Sequence, residues 1–190
     1  IPVKFEPQSL DWHHEQVTVH SGISKVDGEK IYHCHISDDK KHDQTFVDYV
    51  IKDILRETSM EKNVIIHSDN CKSQYKSAQH FHGMQVLANE LNKIVIRVYG
   101  VAHHGKGEVD HVGGLAKVAV RLAVAQGRSF ECSANIVDFL IEKFKDKDFP
   151  THIYKEIVEE DLENDRVEAR YKDFQTITGC DAFQVVIFTP

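Results

Sequence analysis

NVIIHSDNCKSQYKS, residues 63–77, decides the fold. Val64, Ile65 and Ile66 form a short continuous apolar run, the mark of a central strand. The run ends in His67-Ser68-Asp69, and a helix is predicted over about Ser73–Asn92. Ile94–Val101 is the next apolar strand. Strand, helix and strand in that order imply parallel neighbours joined by a right-handed crossover.

Upstream, Gln16–Lys25 alternates, with Val17, Val19 and Ile23 apolar against Thr18 and His20. That period of two reads as a strand. Val26-Asp27-Gly28-Glu29 is a hairpin turn, and Lys30–Ser37 is its second strand. On that strand Tyr32, Cys34 and Ile36 face one side, and Ile31, His33 and His35 the other. Asp43 is placed to cap a helix over Gln44–Thr58, with Phe46, Val47, Val50, Ile51 and Ile54 as its apolar stripe. Residues 1–10 read as irregular or edge-like.

Downstream, a Gly-rich loop leads into a helix over about Val112–Gln126. A further helix covers Ala134–Lys145, and Pro150 breaks the chain. Ile153–Asn164 reads as an acidic helix and Ala182–Phe188 as a last strand. From residue 16 the order is strand, strand, helix, strand, helix, strand, helix. This is an α/β sheet with helices on its faces, and ligands in such sheets gather at the carboxyl ends of strands.

The 190 residues suit one ordinary domain, or one domain plus an appendage, and 41% hydrophobic with 28% charged residues is enough to build a core. No apolar run approaches the ~20 residues that span a bilayer. The start, Ile-Pro-Val-Lys-Phe-Glu, is neither a signal peptide nor an initiator, so a fragment or processed product is expected. Cys34, Cys71, Cys132 and Cys180 are dispersed and never form CxxC. This gives no support to a disulfide scaffold or a zinc ribbon and points to reduced thiols inside a cell.

A net charge of −7 argues against a protein that coats nucleic acid generally. The average hides a pattern. Residues 69–127 hold seven Lys/Arg against four Asp/Glu, and residues 128–173 hold eight against thirteen. A basic middle and an acidic tail allow one polyanion-facing surface on an acidic body.

Two stretches can carry chemistry. Asp69 sits at a strand carboxyl end, where a carboxylate can meet a divalent cation or cap the next helix. The run HHGKGEVDHVGG, residues 103–114, holds four glycines that let a backbone approach a ligand. Lys106 among them can contact a phosphate, and Asp110 opens the following helix. If the two strands are neighbours, Asp69 and Asp110 can converge. Converging carboxylates hold Mg²⁺ or Mn²⁺ ions ~4 Å apart for phosphoryl transfer. The thirteen histidines keep a metal-binding module open as another class, with His33 and His35 on one strand face and His80 and His82 in one helix region. Asp38, Asp39, His42 and Asp43 read as capping and turn residues.

DWHHEQVT at 11–18, SDDKKHD at 37–43, SDNCKSQYKS at 68–77 and HGKGEVDHVGGLAK at 104–117 form an ordered set. Over residues 8–127 the chain resembles animal proteins that are themselves similar to DDE-type transposases and integrases. HGKGxxDxxGGxxK is the specific part. The resemblance implies a ribonuclease H-like mixed sheet flanked by helices. It implies divalent-metal-dependent phosphoryl transfer on DNA in the complete protein, with Asp69 and Asp110 at the second and third acidic positions and Glu108 a near neighbour of the third. In that family the first acid lies on a strand upstream of HHEQVT. Here the chain begins at Ile1, so an N-terminally truncated fold lacking that acid is expected. His111 stands where the family usually has Gly.

The reading is thus a core over residues 1–127 and a helical and strand extension over 128–190. Asp69 and Asp110 are the catalytic and metal-ligating candidates, and Mg²⁺ or Mn²⁺ the expected cofactor. His104, Gly105, Lys106, Gly107 and Lys117 are candidates for contact with DNA, the expected partner, as are Lys72, Lys76 and Arg121. An inactive domesticated domain that binds nucleic acid or protein is the alternative. The location is intracellular, the nucleus included.

Overall fold

Asp27 and Gly28 both take positive φ, 50° and 90°. Two such residues make the hairpin turn whose twist matches its strands. They join β1 (Thr18–Val26) to β2 (Glu29–Ser37), and the antiparallel register runs from Val26↔Glu29 to Thr18↔Ser37. The computed structural model describes residues 17–41, 43–57, 63–68, 71–100, 107–145, 151–170, 179 and 182–190. The expected irregular residues 1–10 lie outside them.

The further elements are α1 (Gln44–Glu57), β3 (Val64–Ser68), α2 (Lys72–Tyr75), α3 (Ala78–Leu91), β4 (Val95–Tyr99) and α4 (Glu108–Ala125). After them come α5 (Ser133–Phe144), β5 (Thr151–Glu156), α6 (Glu159–Arg170) and β6 (Val185–Phe188). The fold is mixed α/β. Its described strands form two three-stranded sheets, β1-β2-β5 and β3-β4-β6. The chain divides into two compact units, Ile1–Lys41 with Gly107–Asp161 and His42–Lys106 with Leu162–Pro190.

In the first unit α4 and α5 lie on the sheet. Cys34, Ile36 and Tyr154 from the strands pack with Ala116, Ala119, Val120, Phe139 and Leu140 from the helices. Each large apolar side chain buried there contributes roughly 1.5–3 kcal/mol. Burial in this core pushes the Cys34 thiol up to about 12, so it behaves as a small hydrophobe. Asp38 holds the start of α5 by accepting from the Ser133 amide at 3.0 Å.

In the second unit β3 and β4 pair in parallel from Val64↔Val95 to Ser68↔Tyr99, as the crossover argument expects. β6 adds antiparallel to β4. Val47, Ile51 and Leu55 of α1 and Phe81, Met84 and Leu87 of α3 cover one face. Asp43 caps α1, accepting from the Phe46 amide at 3.2 Å.

Three expectations are corrected. The single helix over Ser73–Asn92 is two, because Ser77 takes an extended backbone and its hydroxyl accepts from the His80 amide at 3.1 Å, starting α3 afresh. Ile153–Asn164 is not one helix. Residues 151–156 form β5, parallel to β2 from Ile31↔Thr151 to Ile36↔Glu156, and the acidic helix starts only at Glu159. Among the described strands β3 stands at the side of its sheet rather than at its centre, and Ile65 is 59% exposed.

Candidate functional site

Four of the seven predicted site residues, Asp69, His104, Gly105 and Lys106, lie outside the described residues. Asp69 follows Ser68, the last residue of β3, in sequence. The other three belong to the start and the outer face of α4. Gly107 is the residue before the helix, and Asp110 is the third residue in. The Gly107 amide donates to Asp110 Oδ2 at 3.3 Å, a long bond that leaves the exposed carboxylate largely available. Both acids of the first turn, Glu108 and Asp110, sit where the helix dipole favours negative charge.

Glu108 is spoken for. Lys30 Nζ donates to its two oxygens at 2.9 and 2.7 Å, and the Tyr32 hydroxyl donates at 2.5 Å. The Lys30 and then the Tyr32 hydrogen bond hold its carboxyl below the usual glutamate range, while both partners are raised. Of the two carboxylates, Asp110 is therefore the one open to a cation.

An α-helix turns 100° per residue, so positions seven and eleven after Asp110 return to within about 20° of it. Lys117 and Arg121 occupy them and, like Asp110, are exposed. A carboxylate at the helix start and two cations behind it thus share one outward ridge. The buried side of α4 carries Gly113, Ala116, Ala119 and Ala123 with Val112 and Val120. A Cβ at Gly113 would come within 2.5 Å of Ser21 Oγ, so this glycine serves the close approach of α4 to β1. At Gly114 a Cβ would meet nothing within 4 Å.

Residues 3–189 match the family described as Domain of unknown function (DUF8701). The chain belongs to the DUF8701 family. Curated proteins and solved structures give no match.

The histidines of this DUF8701 chain are partly structural. His33 and His35 are buried with rings stacked 6.4 Å apart, and His33 Nε2 meets Ser24 Oγ at 2.8 Å. Among the described residues no three His, Cys, Asp or Glu side chains are grouped to hold a metal ion. Nor, among them, is any helix long and apolar enough to cross a membrane.

Sequence reasoning passed over a second polar centre in the DUF8701 fold, under the parallel strands. Arg97 lies mid-way along β4 and is completely buried. Its Nη2 donates to Ser68 Oγ at 3.0 Å, and its guanidinium carbon stands 5.5 and 5.4 Å from the Tyr75 and Tyr99 ring centroids. Lys76, 5% exposed, holds its Nζ 4.9 Å from the same Tyr99 ring. On the α1 side Asp48 meets His80 Nδ1 at 2.5 Å, and Gln44 donates to Asp48 at 3.4 Å. Burial raises the Asp48 pKa, while His80, Gln44 and the more distant Arg97 oppose that rise. The signal in the sequence is the alternation Val95, Arg97, Tyr99. It puts a guanidinium on the face that the two apolar neighbours bury.

Proposed function

We propose that this DUF8701 chain is a ribonuclease H-like, transposase-derived nuclease or integrase-like domain, with metal-dependent phosphoryl transfer on DNA as the activity of the complete protein. The α4 ridge carries the reading: an available carboxylate, Asp110, leads Lys117 and Arg121 along one exposed face. The parallel β3–β4 pair supports it, since Asp69 follows the last residue of β3 in sequence and parallel sheets gather ligands at strand carboxyl ends. The residues fit a hard divalent cation, which takes carboxylate oxygens. Asp69 and Asp110 would hold Mg²⁺ or Mn²⁺, which activates the attacking oxygen and stabilises the leaving one when bound. His104, Gly105, Lys106, Gly107 and Lys117 position the DNA phosphates.

The test is Mn²⁺-dependent cleavage of duplex and single-stranded DNA. Asp69→Asn and Asp110→Asn are expected to abolish it, and Glu108→Gln to keep it. Lys117→Ala is expected to weaken DNA binding across sequences and lower the salt slope by about one. Cleavage unchanged in Asp69→Asn overturns the site.

A second reading, a domain that binds DNA without cutting it, draws on the engagement of Glu108 by Lys30 and Tyr32. That engagement leaves Asp110 the one available acid in the first turn of α4. Under it, salt-dependent binding persists in both Asp variants and no metal elicits cleavage.

A further inference from the structure

Alternate residues of β3, β4 and β6 point to opposite faces of their sheet. Val64, Val95 and Phe188 face the core that α1 and α3 build. Their neighbours face the other way and lie in two cross-strand rows. Ile65 is in register with Ile96 and Ile96 with Ile187, while His67 is in register with Val98 and Val98 with Val185. Ile65, Ile187 and Val185 are 59%, 60% and 55% exposed. Neither row contains an aspartate, glutamate, lysine or arginine. Parallel strands such as β3 and β4 occur almost only where both of their faces are covered. A polyanion or a charged peptide finds no charge to pair with on this face. The surface that matches it is flat, apolar and uncharged, and the chain itself carries one.

We propose that two copies of this chain associate through the Ile65–Ile96–Ile187 face, sheet against sheet. Sheets pack face to face about 10 Å apart with their strands nearly aligned. A twofold axis running along β4 lays β3 of one copy over β6 of the other. It sets Ile65 over Ile187, His67 over Val185, and Ile96 and Val98 each over its own counterpart. The isoleucine row reads the same from either end, which is the self-complementarity a twofold interface needs. The strands are five, five and four residues long. At about 4.8 Å between strands they make a face of roughly 14 by 16 Å. That falls short of the roughly 800 Å² per partner of a standard interface, so the pair is a weak one that forms at about 10–100 μM. The proposal holds whether or not the domain cuts DNA.

The test is sedimentation velocity of the full chain from about 5 μM to about 1 mM, a range that brackets the expected affinity, joined to isoleucine methyl NMR over the same range. The expected result is a sedimentation coefficient that rises with concentration. The methyl signals of Ile65, Ile96 and Ile187 should shift with it, while those of the buried Ile51 and Ile136 stay in place. Ile65→Lys and Ile187→Lys should each weaken association roughly tenfold or more, because each buries an unpaired ammonium. Ile187→Thr, which keeps the β-branch, decides if a lysine variant does not fold. Added sulfate should strengthen the pair, whereas contacts made through charge weaken with salt. A chain that stays monomeric at about 1 mM overturns the proposal. A soluble paramagnetic probe then separates the other occupants. Face methyls shielded from it mean that another segment of the chain covers the face, and face methyls open to it mean a different partner. Association that is unchanged in both folded lysine variants, or that salt abolishes, overturns the proposal as well.

Discussion

Glu108 shows how one side chain is assigned by its neighbours. In the sequence it competes with Asp110 for the same role, two residues apart at the start of one helix. The structure separates them, because Lys30 and Tyr32 on β2 reach Glu108 and not Asp110. The signs of the shifts fix a pH window. A lowered carboxyl contributes stability at neutral pH that is lost as pH falls through its folded value. Raised Lys30 and Tyr32 contribute stability that is lost only as pH rises through theirs, above the ordinary 10.5 and 10.0. Between the two limits the anchor of α4 on β2 is intact. A carboxyl-carbon NMR titration of Glu108 should give a midpoint below 4.5, and Lys30→Met should move it back towards that value. A wild-type midpoint at or above 4.5 would remove the anchor. None of this was legible in the sequence, since Lys30 and Glu108 meet only through the packing of α4 on the sheet.

At the scale of the element, the Gly113-Gly114 pair divides into two roles. Gly113 faces β1 and Gly114 does not. Gly113→Ala should destabilise by about 1–3 kcal/mol, because its methyl group meets the Ser21 hydroxyl in a packed interface. Adding Ser21→Ala removes the obstacle and should recover most of that loss. Gly114→Ala should stabilise by about 0.5–1 kcal/mol through helix propensity alone. Urea unfolding of the three variants checks this, and a destabilising Gly114→Ala would point to a backbone role for that glycine. Elements with local signals were legible. The Asp27-Gly28 turn, the Asp43 cap and the apolar runs of β3 and β4 each act within a few residues. β5 was not legible, because THIYKE has little apolar alternation and becomes a strand through its parallel pairing with residues 31–36. Arg97 was missed for a related reason: an arginine reads as surface until its strand neighbours show which face it shares.

At the scale of the whole molecule, the last described strand of each sheet comes late in the chain. β5 extends β1-β2, and β6 extends β3-β4. Of the thirteen buried residues in the described core of the first unit, seven lie after residue 127, among them Phe130, Phe139, Leu140 and Tyr154. At roughly 1.5–3 kcal/mol each, their loss amounts to about 10–20 kcal/mol, as large as the entire stability of a typical domain. In the second unit Arg166 of α6 donates to Asp43 at 2.8 Å, at the residue that caps α1. A chain ending at residue 127 loses that contact along with the edge strand that borders β4. Residues 1–127 alone should therefore give a collapsed state with helical far-ultraviolet signal, little near-ultraviolet signal and no cooperative urea transition. A cooperative transition in the 1–127 chain, with fixed aromatic packing, would instead make residues 128–190 an appendage. The packing of Phe139, Leu140 and Tyr154 with Cys34 and Ile36 favours the first outcome, because those two strand residues sit in the shared core.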